Sequence, residues 1–78
     1  MSNLEKYNNA FVNAFGIEID KLIGLTYESI TEWDSIGHMN LIAELEEAFD
    51  IMFETDDIIA FNSYEKGKEL LKNYDVEV

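Results

Sequence analysis

The sequence predicts an all-α fold of four helices, with a long loop after the first and a short third helix. Three observations carry this. Apolar residues recur at helical spacing in separate segments, capping residues stand where those segments begin and end, and the one stretch that alternates like a strand has nothing to pair with. The 78 residues make one domain, 1–78, and a chain of that size buries only about 60% of the surface its unfolded form exposes. No cysteine is present, so neither disulfides nor thiolate metal sites supplement this thin core, and packing must hold it.

Ser2-Asn3-Leu4-Glu5 fits a capping box, in which serine and glutamate satisfy each other's backbone donors. Behind it, Leu4, Tyr7, Phe11, Ala14 and Phe15 form an apolar stripe opposite Glu5, Asn8, Asn9 and Asn13. Gly16 supplies the left-handed residue that commonly closes a helix. From Ile17 to Asp34 the pattern loosens into a long loop with a turn at Gly24; its scattered apolar residues predict that it is pinned onto the helices. Leu25 to Ile30 alternates, but a lone strand is not stable, so this stretch is read as loop.

The second helix runs from about Ser35 to Phe49. At 100° per residue it gathers Leu41, Ile42, Leu45, Ala48 and Phe49 on an inner side with His38 at its edge. Ile36, Asn40, Ala43, Glu44 and Glu47 fall on the other side, flanked by Met39 and Glu46. Ile51-Met52-Phe53 then crosses back over the core, and Thr55 is read as the cap of a short helix through Phe61 with Asp56 and Asp57 in its first turn. A last helix from about Tyr64 to Tyr74 places Tyr64, Gly67, Leu70, Leu71 and Tyr74 inside and Lys66, Lys68 and Lys72 outside.

Seventeen acidic and five basic residues give a net charge of −12, yet a hydrophobic fraction of 47% argues for a folded chain. The field of such a molecule repels phosphate backbones and anionic lipid and attracts proteins with basic patches, so nucleic acid is excluded as an expected partner. Between Lys21 and Lys66 there is no Lys or Arg at all, which makes the middle of the chain its acidic pole. Neither a secretory signal nor an apolar stretch long enough to span a bilayer occurs, so no membrane insertion and a soluble, cytoplasmic monomer are expected.

Chemistry concentrates in Trp33-Asp34-Ser35-Ile36-Gly37-His38-Met39-Asn40-Leu41. Asp followed by Ser at a helix start can accept from the free N–H groups of the first turn, so the pair reads first as a cap. The single histidine, His38, lies three residues after Ser35, hence beside it on a helix; a serine and histidine pair is conceivable, but so small a chain has little volume for a substrate pocket and oxyanion donors. A half-buried, hydrogen-bonded histidine is the preferred reading, and no catalysis is expected. Asp50, Glu54, Asp56 and Asp57 lack the alternating ligands, central glycine and distal glutamate of an EF-hand loop, and read as a solvated acidic face rather than a metal site. Ser35 is instead suited to accept a group from another enzyme: a phosphodiester in the first turn would sit among free N–H groups at the positive end of the helix dipole.

Asp34-Ser35-Ile36 resembles the Asp-Ser-Leu attachment motif of the acyl carrier protein family, with Ile for Leu. Leu41-Ile42-Ala43-Glu44-Leu45-Glu46-Glu47-Ala48-Phe49-Asp50 is similar to that family's second helix, and the resemblance extends over the whole chain. It implies a four-helix carrier in which Ser35 bears a covalent 4'-phosphopantetheine derived from coenzyme A and holds acyl groups as thioesters for lipid or specialised-metabolite biosynthesis. The implied partners are a phosphopantetheinyl transferase and acyl-transferring or synthase enzymes with basic patches. Asp34, Ile36, Met39, Ala43, Glu44 and Glu47 are the expected docking residues. Gly37 and Asn40 stand where many fatty-acid carriers place acids, and Trp33 with Gly37-His38 looks more like specialised carriers, including aminoacyl, D-alanyl or peptidyl carriers. The rival from another class is a small acidic binding or inhibitor protein that needs no modification. Trp33 itself reads as a loop residue packed over the core.

Overall fold

The computed structural model describes every residue, Met1–Val78. Helix α1 (Asn3–Phe15) opens on the capping box read from the sequence: the Glu5 N–H donates to Ser2 Oγ at 3.1 Å, and the Ser2 N–H to Glu5 Oε1 at 3.2 Å. It ends at Gly16, whose φ of 66° turns its N–H onto the Val12 carbonyl. The buried stripe of α1 is Tyr7, Ala10, Phe11 and Phe15, so Ala10 belongs to it and Leu4, still 43% exposed, does not. Periodicity names the apolar side of a helix; which turns are covered depends on the neighbour, and the small Ala10 sits over α2 near Ala48.

Helix α2 (Ser35–Phe49) is the main partner of α1. Leu41, Ile42 and Leu45 are buried, with His38, Ala48 and Phe49 half-buried on the same side. Asp50 adopts the left-handed conformation at φ 54°, and its N–H closes on the Glu46 carbonyl. Glu46 also accepts the Phe53 N–H through Oε2 at 2.9 Å, which folds the chain back and buries Phe53 while Met52 stays out.

Helix α3 (Thr55–Ala60) departs from the sequence reading at its start. Thr55 is its first helical residue, Glu54 is the cap, and no side chain of the segment itself caps it. Tyr74 does so from the far end of the chain: its hydroxyl accepts the Glu54 N–H at 2.9 Å and donates to Asp57 Oδ2 at 2.5 Å. Helix α4 (Tyr64–Leu71), capped by Ser63 Oγ on the Lys66 N–H, is shorter than expected because its last residues, Lys72–Tyr74, tighten into a 3₁₀ turn. A methyl at Gly67 would overlap the Tyr7 hydroxyl and the Phe61 ring, so its missing side chain is what lets α4 lie against α1. Across that contact the buried Tyr7 hydroxyl donates to the Tyr64 carbonyl at 2.6 Å.

The loop from Gly16 to Asp34 contains one 3₁₀ turn, Ile19–Lys21, and a glycine turn at Gly24 with φ 81°. Leu22, Leu25 and Trp33 pin it into the core, whereas Ile19 and Ile23 remain exposed. No strand forms, but the alternating stretch does find a partner: Thr26 bridges Ser63, with the Tyr27 N–H on the Asn62 carbonyl and the Tyr64 N–H on the Leu25 carbonyl, both at 2.9 Å. The result is an all-α molecule whose core of sixteen buried residues includes seven aromatic ones. Trp33 is fully buried at its centre, against Phe11 at 5.7 Å and Phe15 at 5.3 Å between ring centroids. No helix is long and apolar enough to cross a membrane.

Candidate functional site

Asp34 ends the loop in extended conformation, φ −101° and ψ −168°, and its Oδ1 accepts the Gly37 N–H at 2.8 Å. That makes Asp34 the N-cap and Ser35 the first helical residue. Capping is therefore done by the aspartate alone, and the exposed Ser35 hydroxyl makes no hydrogen bond to the protein. The cap takes up the Gly37 N–H and the first helical bond takes up that of His38, on the Asp34 carbonyl at 2.8 Å; the N–H groups of Ser35 and Ile36 stay open beside the hydroxyl.

Gly37 has a steric reason to be glycine. It is buried under the loop, and a side chain there would overlap the Glu32 carbonyl oxygen and meet the Phe15 ring at 3.3 Å. An acidic residue at this position has no room in this fold. Close approach of loop and helix at Gly37 is what holds the Trp33–Asp34 segment at the start of α2.

His38 joins three elements. The indole N–H of Trp33 donates to its Nδ1 at 3.0 Å, and its Nε2 lies 2.8 Å from the Ile58 carbonyl of α3. Indole is only a donor and a carbonyl only an acceptor, so the neutral ring carries its proton on Nε2. With both nitrogens engaged, the ring offers no lone pair to Ser35 unless one of these bonds breaks. This is the half-buried, hydrogen-bonded histidine expected from the sequence, and its in-plane bond to the indole explains why the imidazole lies nearly coplanar with the Trp33 ring, at an interplanar angle of 16°.

Between α2, α3 and the loop lies an open groove of about 330 Å³ lined by Tyr27, Ser35, His38, Met39, Ile58, Ile59, Phe61 and Asn62. Ser35 stands at its edge. Tyr27 and Asn62 reach the groove through the Thr26–Ser63 bridge, a long-range pairing that no local pattern announces. Ile59, 75% exposed on a short acidic helix, carried a sequence signal as a misplaced apolar residue. The inner-face residues Leu41 and Leu45 are fully buried, and Phe61 is buried at the floor of this groove.

The other expected site residues divide. Asp34, Ile36, Met39, Ala43 and Glu47 are all exposed, Ile36 to 73% and Met39 to 53%. Glu44 is turned to the side, half-buried against α1, where its Oε1 accepts from Asn13 Nδ2 at 3.3 Å. The acids Asp50, Glu54, Asp56 and Asp57 do not converge: no group of three or more His, Cys, Asp or Glu side chains is placed to hold a metal ion. The one ion pair in the molecule is the exposed Lys66–Glu69 contact at 3.8 Å, so the acidic pole around Ser35 is unneutralised.

Fold and site together define a small, acidic, all-helical domain that presents a free serine at a helix start beside an apolar groove. No family model, no curated protein and no solved structure matches the chain.

Proposed function

We propose that the protein is an acyl carrier whose Ser35 accepts 4'-phosphopantetheine from coenzyme A and then presents a thioester-bound cargo to partner enzymes. The observation that carries this reading is the Ser35 hydroxyl itself: exposed, free of the capping role, and next to open N–H groups at the helix start. A phosphodiester there is favoured by about 0.3–1 kcal/mol through the helix dipole. Transfer would join Ser35 Oγ to the phosphorus that bears the pantetheine arm, with 3',5'-ADP leaving and the serine proton passing to a base of the transferase. His38, committed on both nitrogens, supports an acceptor that relies on its partner for activation.

The unneutralised acids Asp34 and Glu47 and the exposed Ile36 and Met39 suit docking to an enzyme surface with basic groups around an apolar centre. Glu44, half-buried beside α1, accepts from Asn13 Nδ2 at 3.3 Å. A purely binding or inhibitory protein would share the acids and the exposed apolar residues, and would need no free serine.

Incubation with coenzyme A, magnesium and a broad-specificity phosphopantetheinyl transferase, followed by intact mass, tests the reading. One phosphopantetheinyl group is expected on the parent chain and none on Ser35→Ala. No gain, or the same gain in Ser35→Ala, defeats it.

A further inference from the structure

We propose that His38 is a proton-sensitive latch: its neutral ring ties the loop before Ser35 to helices α2 and α3, and protonation releases the loop. This rests on hydrogen bonds alone and holds whether or not Ser35 carries a group. Trp33 is fully buried, and the Nδ1 of His38 is the acceptor for its indole N–H. A proton arriving at the neutral imidazole must go to Nδ1, since Nε2 already holds the hydrogen given to the Ile58 carbonyl. The acceptor facing Trp33 thereby becomes a donor, and two N–H groups confront each other. The bond to Ile58 keeps its sense and gains charge assistance. The break therefore falls on the Trp33 side, while the ring stays with α3.

The surroundings do nothing to absorb the change. The ring is flanked by Trp33, by the edge of Tyr27 at 5.6 Å and by Phe61 at 6.1 Å. The titratable groups on the adjoining elements are Tyr27, Glu28 and Glu32 from the loop around Trp33, Asp34 at the start of α2, Glu44, Glu46 and Glu47 further along α2, and Asp56 and Asp57 from α3. Asp34 is occupied by the Gly37 N–H and Asp57 by the Tyr74 hydroxyl, and no carboxylate pairs with the imidazole. A charged His38 thus leaves the buried indole N–H without its partner, at a cost that the loop relieves by shifting. The shift travels through Asp34, the cap of α2, to Ser35, two residues beyond Trp33.

Proton–nitrogen spectra of the full chain, taken from about pH 8 to about pH 5, test this. The Trp33 indole N–H resonance is expected to titrate in step with the His38 ring carbons, and so are the Ser35 and Ile36 amides. Exchange of the indole hydrogen, corrected for its intrinsic pH dependence, should be roughly tenfold faster on the acid side, as expected for losing one buried hydrogen bond. In His38→Gln the indole resonance should be flat across the range. An indole resonance that ignores the His38 titration in the parent chain overturns the proposal even if the variant does not fold, and so does an equal response in His38→Gln.

Discussion

Gly37→Ala is the substitution that weighs two opposed effects most directly. In an exposed helix this change is stabilising by about 0.8–1 kcal/mol, because alanine gives up less backbone freedom on folding. Here the added methyl would overlap the Glu32 carbonyl oxygen and lie 3.1 Å from its carbon and 3.3 Å from Phe15. Carbon–oxygen contacts are comfortable from about 3.3 Å, so the carbonyl must retreat by more than about 1 Å. Glu32 cannot move alone. It is joined to Trp33, whose backbone is held by hydrogen bonds to Ile30 and Glu28 and whose ring is fully buried. Overpacking of this kind costs about 1–3 kcal/mol, and an obstructing backbone atom puts it near the upper end. Subtracting the propensity gain leaves a net loss of about 2 kcal/mol, or a Tm lower by about 8–16 °C for a domain of this size. Urea titration followed by Trp33 fluorescence, with Asn40→Ala on the exposed face of α2 as the control, measures it. A Gly37→Ala chain as stable as the parent would refute the close approach of loop and helix and, with it, the steric account of why no acid stands at 37.

Burial, then the neighbouring Tyr64 and Glu65, push the Tyr7 phenol far above its ordinary value of 10.0. The folded state therefore holds its proton more tightly than the unfolded one, and this contribution is complete below about pH 10 and lost as pH rises above it. Tyr7→Phe should cost about 1 kcal/mol at neutral pH through the lost bond to the Tyr64 carbonyl and should flatten the alkaline limb of a stability profile; an unchanged limb would point to another group. Asp34→Ala removes the cap of α2 and should cost about 1 kcal/mol by urea titration, while Asp34→Asn retains most of the capping. If the charge of Asp34 also guides the transferase, Asp34→Asn should keep the parent's stability yet be modified more slowly at low salt. Tyr74→Phe removes the hydroxyl that serves both Glu54 and Asp57, so amide exchange in α3 should accelerate by roughly tenfold with little change in α1; uniform acceleration would mean that Tyr74 supports the whole fold instead.

Local signals carried much of this molecule. The capping box at Ser2 and Glu5, the left-handed Gly16, the limits of α2 at Ser35 and Phe49, and the inner triad Leu41, Ile42 and Leu45 follow from backbone donors that need acceptors and from a 3.6-residue period, both properties of a few adjacent residues. The exposure of Ser35, Ile36 and Met39 was legible for the same reason. Long-range contacts decided the rest. Tyr74 caps a helix whose own sequence lacks a capping side chain, and Asn62 meets Tyr27 through a bridge thirty-odd residues apart. Glu44 turns to α1 because Asn13 is there to meet it.

Sequence by itself determined a small acidic all-helical chain and marked the stretch from Trp33 to Leu41 as its candidate site. Only the tertiary structure decided how that stretch works as a unit: Asp34 as the cap, Ser35 released from capping, Gly37 as the point where the loop touches the helix, and His38 tied to Trp33 and Ile58. The physical reason is one of range. Helix starts and stripes are set by neighbours along the chain, whereas the protonation state a histidine can adopt, and the groove beside a serine, depend on groups that only folding brings within about 3 Å.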